Sequence, residues 1–356
     1  MPKVNTQITK RDFKEYDILY KSLMVHGPTG TGKSKSTLYF ASAIAHLINV
    51  AVVFCPTNVF HNDWSSIVPD MMIRETLSLQ AIEAIIKDQE DKTNYKKLAR
   101  EHRAFWKQIP GSAEIDAEYE AEKKAIADRV EQNKMTMNSE DYTKAAHEQY
   151  VAKFNRNKKS RELIYKKISG VYRKNGIDRD KLDKTDKTTI DLVIFHKYFR
   201  LNINVLLVID DCTDQFKSVP DDTWKLLFNK SRHFKLTVIM GTHNLGDIKV
   251  QCLRTAPTWQ VFMTAQAAIG YLTNGAIGLK TVIIVDSNAL SKAFSIDKEK
   301  STMTRVALSR DMGIVTKFTY PAKLSFKLCD PVFWKVDEIM RKKKKTHPVR
   351  IDITKL

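Results

Sequence analysis

The chain has 356 residues, 43% of them hydrophobic, enough to bury a sizeable core in one large domain or two. Its 59 lysines and arginines against 41 aspartates and glutamates leave a formal charge of +18, so it is attracted to polyanions, and nucleic acid is the leading partner class. Cys55, Cys212, Cys252 and Cys329 are scattered and form no C-x-x-C pair, which argues against a zinc site or a disulfide framework, and no apolar run approaches a membrane span, so the expectation is a soluble intracellular protein with no membrane partner.

In chain order, Leu23-Met24-Val25 predicts a short buried strand, and Leu38, Ala41, Ile44, Ala45 and Ile48 give helical spacing after it. Between them runs Gly27-Pro28-Thr29-Gly30-Thr31-Gly32-Lys33-Ser34, which fits the phosphate-loop pattern G-x-x-x-x-G-K-[ST] in the strand-to-helix context that the pattern needs. Its glycines let backbone N–H groups converge on phosphate oxygens, and the helix that follows adds the positive end of its dipole. The expected nucleotide-binding set is Gly27, Pro28, Thr29, Gly30, Thr31, Gly32, Lys33, Ser34 and Lys35, with Lys33 reaching the β and γ phosphates and Ser34 ligating magnesium. ATP and Mg2+ are therefore the expected cofactors.

Val50–Phe54 predicts a second strand, broken by Pro56-Thr57-Asn58. From 75 to about 187 the texture changes to dense Lys, Glu, Asp, Arg and Ala, with apolar residues such as Ile82, Ile85, Ile86, Ile126, Val130, Tyr150, Val151, Leu163 and Ile168 thinly spaced. This predicts a charged helical insertion or lid whose second half is basic, either a solvated face or a contact for DNA or capsid. From 188 the alternation of strands and helices returns: a helix at Ile190, Val193, Ile194 and Tyr198, a strand at Val205–Ile209, a helix around Trp224–Phe228, then strands at Leu236–Met240, Trp259–Met263 and Thr281–Val285. Residues 1–74 and 188–300 thus read as two parts of one α/β core with a mainly parallel sheet. Residues 301–356 read as a C-terminal extension with a small β element at Lys323–Leu328. Its basic tail, Arg341 to Lys345, suits a nuclear address, a phosphate-contacting arm or a solvated end.

The second strong signal is Leu206-Leu207-Val208-Ile209-Asp210-Asp211, an apolar strand delivering two acids at its carboxyl end, where ligands of parallel sheets gather. Asp210 is expected to hold the magnesium shell and Asp211 to orient and deprotonate the attacking water. Gly241-Thr242-His243-Asn244 follows another strand, and its polar side chains are candidates for sensing the γ phosphate, Thr242 and Asn244 ahead of His243. Arg232, in Ser231-Arg232-His233, suits an arginine finger reaching a neighbouring subunit's site, and Arg254 is the other candidate.

The order of phosphate loop, Phe54-Cys55-Pro56-Thr57-Asn58, Asp-Asp strand, Arg232-His233 and polar strand end resembles the genome-packaging ATPases of poxviruses, giant viruses, virophages and polintons, in the FtsK–HerA superfamily. The resemblance covers roughly residues 20–70 and 188–270. It implies a RecA-like P-loop NTPase of the ASCE type, with one strand between the phosphate-loop and Asp-Asp strands. It also implies a homo-oligomeric ring, pentamer or hexamer, that drives double-stranded DNA into a preformed capsid through a capsid or portal-vertex protein. The place of action would be the site of virus assembly in the host cytoplasm or nucleus, or the virion itself. The superfamily often has Gln at the strand end where this chain has Thr242-His243-Asn244. Two other readings stand beside it: a different P-loop ATPase such as a helicase or replication-loading enzyme, and a nucleotide-responsive DNA-binding component without turnover.

Overall fold

The computed structural model describes residues 3–5, 7–93, 107, 111–174, 184, 203–243, 251–274 and 282–343. The chain forms two compact units, one of residues 1–93 with 196–354 and one of residues 94–195 with 355–356. The first unit begins with β1 (Lys3–Asn5), β2 (Thr9–Lys10), α1 (Glu15–Ile18), β3 (Ser22–His26), α2 (Lys33–Ile44), β4 (Val50–Phe54), α3 (Asn58–His61), β5 (Ile73–Arg74) and α4 (Leu79–Thr93). The second unit supplies α5 (Ser112–Gln132) and α6 (Ser139–Lys174). The first then resumes with β6 (Val205–Ile209), α7 (Asp221–Lys230), β7 (Leu236–Thr242), α8 (Gln251–Thr255), β8 (Trp259–Phe262), α9 (Ala265–Asn274), β9 (Val282–Ile284), α10 (Ser287–Lys292), β10 (Ser295–Asp297), β11 (Thr302–Ser309), β12 (Ile314–Pro321) and α11 (Pro331–Lys343).

A ten-stranded sheet runs in the order β2-β12-β11-β8-β3-β7-β6-β4-β5, with β10 paired to β11. Strands β8, β3, β7, β6, β4 and β5 are parallel, which places the phosphate-loop strand β3 and the Asp-Asp strand β6 on either side of β7. This is the RecA-like order, and the fold is an α/β P-loop fold. All five residues of β3 and of β6 are buried, as strands covered on both faces must be. On one face Met24, Phe54, Leu207, Ile209, Val238 and Met240 pack with Ile82, Ile85 and Ile86 of α4 and with Trp224, Leu227 and Phe228 of α7. On the other, Phe13, Phe40, Trp259 and Phe318 form an edge-on aromatic cluster that seats α2. Each such side chain contributes on the order of 1.5–3 kcal/mol by leaving water.

Three sequence expectations need adjustment. The compositional change at residue 75 is not a boundary of the first unit, because α4 buries its isoleucines in the main core. The strand near 281–285 is observed as β9, but it pairs with β1 in a separate two-stranded ribbon. Lys323–Leu328 forms no strand; the late β structure is the hairpin of β11 and β12, which joins the main sheet through β8. Exposed Lys323, Ser325 and Lys327 face no partner strand, whereas β11 buries its last five residues. The predicted helix at Ile190–Tyr198 lies outside the described residues.

Within the second unit, α5 and α6 run antiparallel, joined by the ion pairs Arg129–Glu148, Arg156–Asp116 (2.7 Å) and Lys159–Glu118 (2.6 Å). Among the residues whose side chains are described, Ile126, Ala145 and Ala152 are the buried apolar ones of this pair, a thin seam consistent with the sparse apolar spacing. Arg341, the first residue of the basic tail, pairs with Asp70 (2.8 Å) and Asp337 (3.0 Å), while 344 and 345 lie outside the described residues. Among the described residues no helix is long and apolar enough to cross a membrane.

Candidate nucleotide site

β3 ends at His26 and α2 begins at Lys33, so the loop Gly27–Gly32 sits at the carboxyl edge of the sheet, with Gly32 at φ 93° as N-cap. Gly30 (φ 78°) and Gly32 both occupy the left-handed region, which side chains other than glycine adopt with difficulty. The loop is tied to the neighbouring strand by the Gly27 N–H, which donates to the Thr242 carbonyl at 3.1 Å. Lys33 is buried, and its ammonium donates to the Pro28 carbonyl at 3.1 Å. Burial lowers the Lys33 pKa, and the charges of Asp211 and Asp210 act against that shift. Ser34 is half-buried and Lys35 exposed.

β6 delivers Asp210 and Asp211 to the same edge. Asp210 is 1% exposed, and burial pushes its carboxyl up to about 6. Asp211 pushes in the same direction, while the Ser34 and Trp64 hydrogen bonds and Lys33 oppose it. Its Oδ2 accepts from the Trp64 indole at 3.4 Å, and its Oδ1 is buried without a hydrogen-bond partner. An added Cβ at Gly241, on the adjacent β7, would stand 2.7 Å from that same Oδ1, so glycine there leaves the carboxylate its room. Asp211 has φ 53°, in the left-handed region that few non-glycine residues adopt. Asp211 Oδ2 accepts from the Thr57 hydroxyl at 2.9 Å.

The segment after β4 therefore orients both acids. Thr57 holds Asp211 directly, and Asn58 accepts from the Trp64 backbone N–H at 3.0 Å, fixing the indole that reaches Asp210. Sequence reading noted Pro56-Thr57-Asn58 only as a strand breaker and a resemblance; Trp64, fully buried, carried no local signal.

His243 is the other participant that received little weight. Its Nδ1 lies 3.3 Å from Lys33 Nζ and 3.3 Å from the Thr29 hydroxyl, and its Nε2 lies 3.7 Å from Asp211 Oδ1. An ammonium only donates, so Nδ1 accepts and the ring proton is assigned to Nε2, facing Asp211. His243 thus bridges the lysine of the phosphate loop and the second acid. Thr242, given precedence in the sequence reading, has a fully buried side chain and contributes its carbonyl to the loop. Asn244 lies outside the described residues.

Arg232 is exposed in the turn before β7, at the opposite end of that strand from the phosphate loop. A seven-residue strand spans about 20 Å, so Arg232 does not reach the site of its own chain. Arg254 is half-buried, and its charge acts on His26 and Tyr271 of its own chain.

Among the described residues no three His, Cys, Asp or Glu side chains gather as a metal cage. The orphaned, buried Oδ1 of Asp210, whose carboxyl group also interacts with the Ser34 hydroxyl, fits a magnesium ion that would take its other ligands from water and phosphate.

No protein-family model matches the chain, and no curated protein matches it. Solved structures similar to it include the bacterial conjugative coupling protein TrwBdeltaN70 in its unbound monoclinic form, at 14% identity and TM-score 0.38, covering 94% of this chain and 92% of that one. VirB4 of Thermoanaerobacter pseudethanolicus matches at 11% identity and TM-score 0.33, covering 85% and 89%. The cytoplasmic domain of the Thermomonospora curvata type VII secretion ATPase EccC matches at 11% identity and TM-score 0.35, and this chain, 93% covered, spans 29% of its length.

Proposed function

We propose that the chain is an ATPase that drives double-stranded DNA translocation, packaging a viral genome into a capsid. The observation that carries the ATPase part is the convergence of Lys33 and Ser34 with Asp210 and Asp211, bridged by His243. In this reading the loop amides and Lys33 bind the β and γ phosphates, and Ser34 and Asp210 hold magnesium, which stabilises the charge of the transferring phosphoryl group. Asp211, aimed by Thr57, orients the attacking water and takes its proton. Lys33 exchanges its contact with His243 for one with the γ phosphate, so that hydrolysis is felt at the end of β7.

The DNA part rests on the +18 charge and on the resemblance of the motif set to packaging ATPases. A homo-oligomeric ring, pentamer or hexamer, places Arg232 at the neighbouring subunit's site, consistent with its distance from the site of its own chain. A capsid or portal-vertex protein is the further partner. Purified protein with Mg2+ is expected to hydrolyse ATP, Lys33→Ala to lose nucleotide binding, and Asp211→Asn to bind ATP without turnover. Turnover by Asp211→Asn at the parent rate overturns the assignment of the base. The motor is tested separately by displacement of a third strand from a DNA triplex. Turnover that DNA does not stimulate, with no displacement at high protein concentration, overturns the translocation reading and leaves the ATPase standing.

A further inference from the structure

Arg305, on β11, is 4% exposed, and no carboxylate among the described residues pairs with it. Its guanidinium is spent on backbone carbonyls: Nη1 donates to Ser295 O at 3.2 Å and to Thr304 O at 2.9 Å, and Nη2 donates to Thr31 O at 3.1 Å. Its Nε is buried without a partner. Buried cations are ordinarily matched by anions, and among the described residues this one meets carbonyl dipoles and the Met303 sulfur instead. Thr31 belongs to the phosphate loop, so the late hairpin of the chain grips the loop from behind.

The grip is part of a built face. In antiparallel pairing, Met303 opposes Tyr320 and Arg305 opposes Phe318, which puts the four side chains on one side of the hairpin. There the Tyr320 hydroxyl is hydrogen-bonded to Ser36 of α2 at 2.6 Å, and Tyr39 stacks on Phe318 and Tyr320. Met303 Sδ would lie 3.4 Å from a Cβ added at Gly32. The hairpin is thereby fixed against both the loop and the start of its helix.

We infer that Arg305 is a positioning residue for the phosphate loop, supplying from behind it the positive charge and peptide orientation with which the loop binds a nucleoside di- or triphosphate; this rests on the nucleotide reading above. The peptide between Thr31 and Gly32 is planar and trans, so holding its carbonyl toward Arg305 turns the Gly32 N–H the opposite way. A cation on the carbonyl also polarises that peptide, making its N–H a stronger donor to a phosphate oxygen. Among the described residues the charge has no counter-ion, and a bound polyphosphate would supply one. The planar fork serves three carbonyls at once, which an ammonium does not.

The test compares the parent chain with Arg305→Lys and Arg305→Met by calorimetric binding of Mg·ATP and of pyrophosphate, the latter having no base or sugar. Arg305→Met is expected to weaken both by about tenfold or more, the size of one lost charge-assisted hydrogen bond. Arg305→Lys is expected to fall between parent and Met variant. In steady state KM for ATP rises with kcat changed far less, whereas general loosening of the fold lowers kcat. Parent affinity for both ligands in Arg305→Met, or a fall in kcat at unchanged KM, overturns the inference while the nucleotide reading stands. Should Arg305→Met not fold, Arg305→Lys decides alone, and parent affinity in it overturns the inference. If the parent itself binds neither ligand, the nucleotide reading falls and this inference with it.

Discussion

Gly241→Ala puts the proposed metal carboxylate to a steric test. The new Cβ would stand 2.7 Å from Asp210 Oδ1, closer than nonbonded carbon and oxygen approach, so the carboxylate must move by about half an ångström. It has little freedom: Asp210 is 1% exposed and its other oxygen is held by Trp64. Overpacking of this kind costs about 1–3 kcal/mol, and replacing a strand glycine returns about 0.5–1 kcal/mol of that. The net, about 1–2 kcal/mol, lowers Tm by roughly 2–8 °C for a unit of this size. Turnover is expected to fall by about tenfold, because a full misplacement of about 1 Å at a reacting centre costs about a hundredfold. The assay is Mg2+-dependent ATP hydrolysis beside a thermal melt, with nucleotide binding as control, since the loop itself is untouched. A variant that hydrolyses ATP at the parent rate and melts with the parent would refute the claim that Asp210 is both confined and functional.

Three further outcomes are expected. Thr57→Val removes the hydroxyl that aims Asp211 while keeping the shape, so turnover falls about tenfold or more at unchanged nucleotide affinity, and equal kcat in stopped-flow phosphate release contradicts the aiming role. His26 is fully buried against Phe262 and Tyr271 and hydrogen-bonded to Gln260, and burial, with the nearby charge of Arg254, lowers its pKa to about 4 despite that bond. The unfolded chain takes up this proton near 6.5 and the folded one near 4. Stability is therefore lost as pH falls from 6.5 toward 4, by up to about 3 kcal/mol, and urea titrations across that range should show a shallower loss in His26→Asn. Arg156→Ala and Lys159→Ala break a half-buried and an exposed ion pair between α5 and α6 and should each cost under about 1 kcal/mol; melts shifted by more would mean that the thin apolar seam is not what holds the pair.

The backbone of the site was legible because its signals are local. A buried strand, a glycine loop and a helix adjoin in sequence at 22–44, and the apolar run Val205–Ile209 ends directly on two acids. The helical character of 112–132 and 139–174 followed from charge and sparse apolar spacing in the same way. What was not legible involves partners far apart along the chain: Thr57 with Asp211, Trp64 with Asp210, His243 with Lys33, and Arg305 with Thr31. In each pair one partner lies in a motif and the other, Thr57, Trp64, His243 or Arg305, has no spacing that links it to that motif, so nothing in the sequence distinguishes Trp64 from any other core tryptophan.

Sequence alone determined that the chain carries a phosphate loop and a pair of acids on parallel strands, since both depend on backbone torsions and burial within a few residues. That one strand separates them was implied by the resemblance to packaging ATPases; only the tertiary structure decided that this strand is β7, that Gly241 leaves room for Asp210, and that the hairpin of β11 and β12 reaches the back of the loop. The reason is that strand order and side-chain convergence are set by how distant segments bury one another, and that information resides in no short stretch of residues.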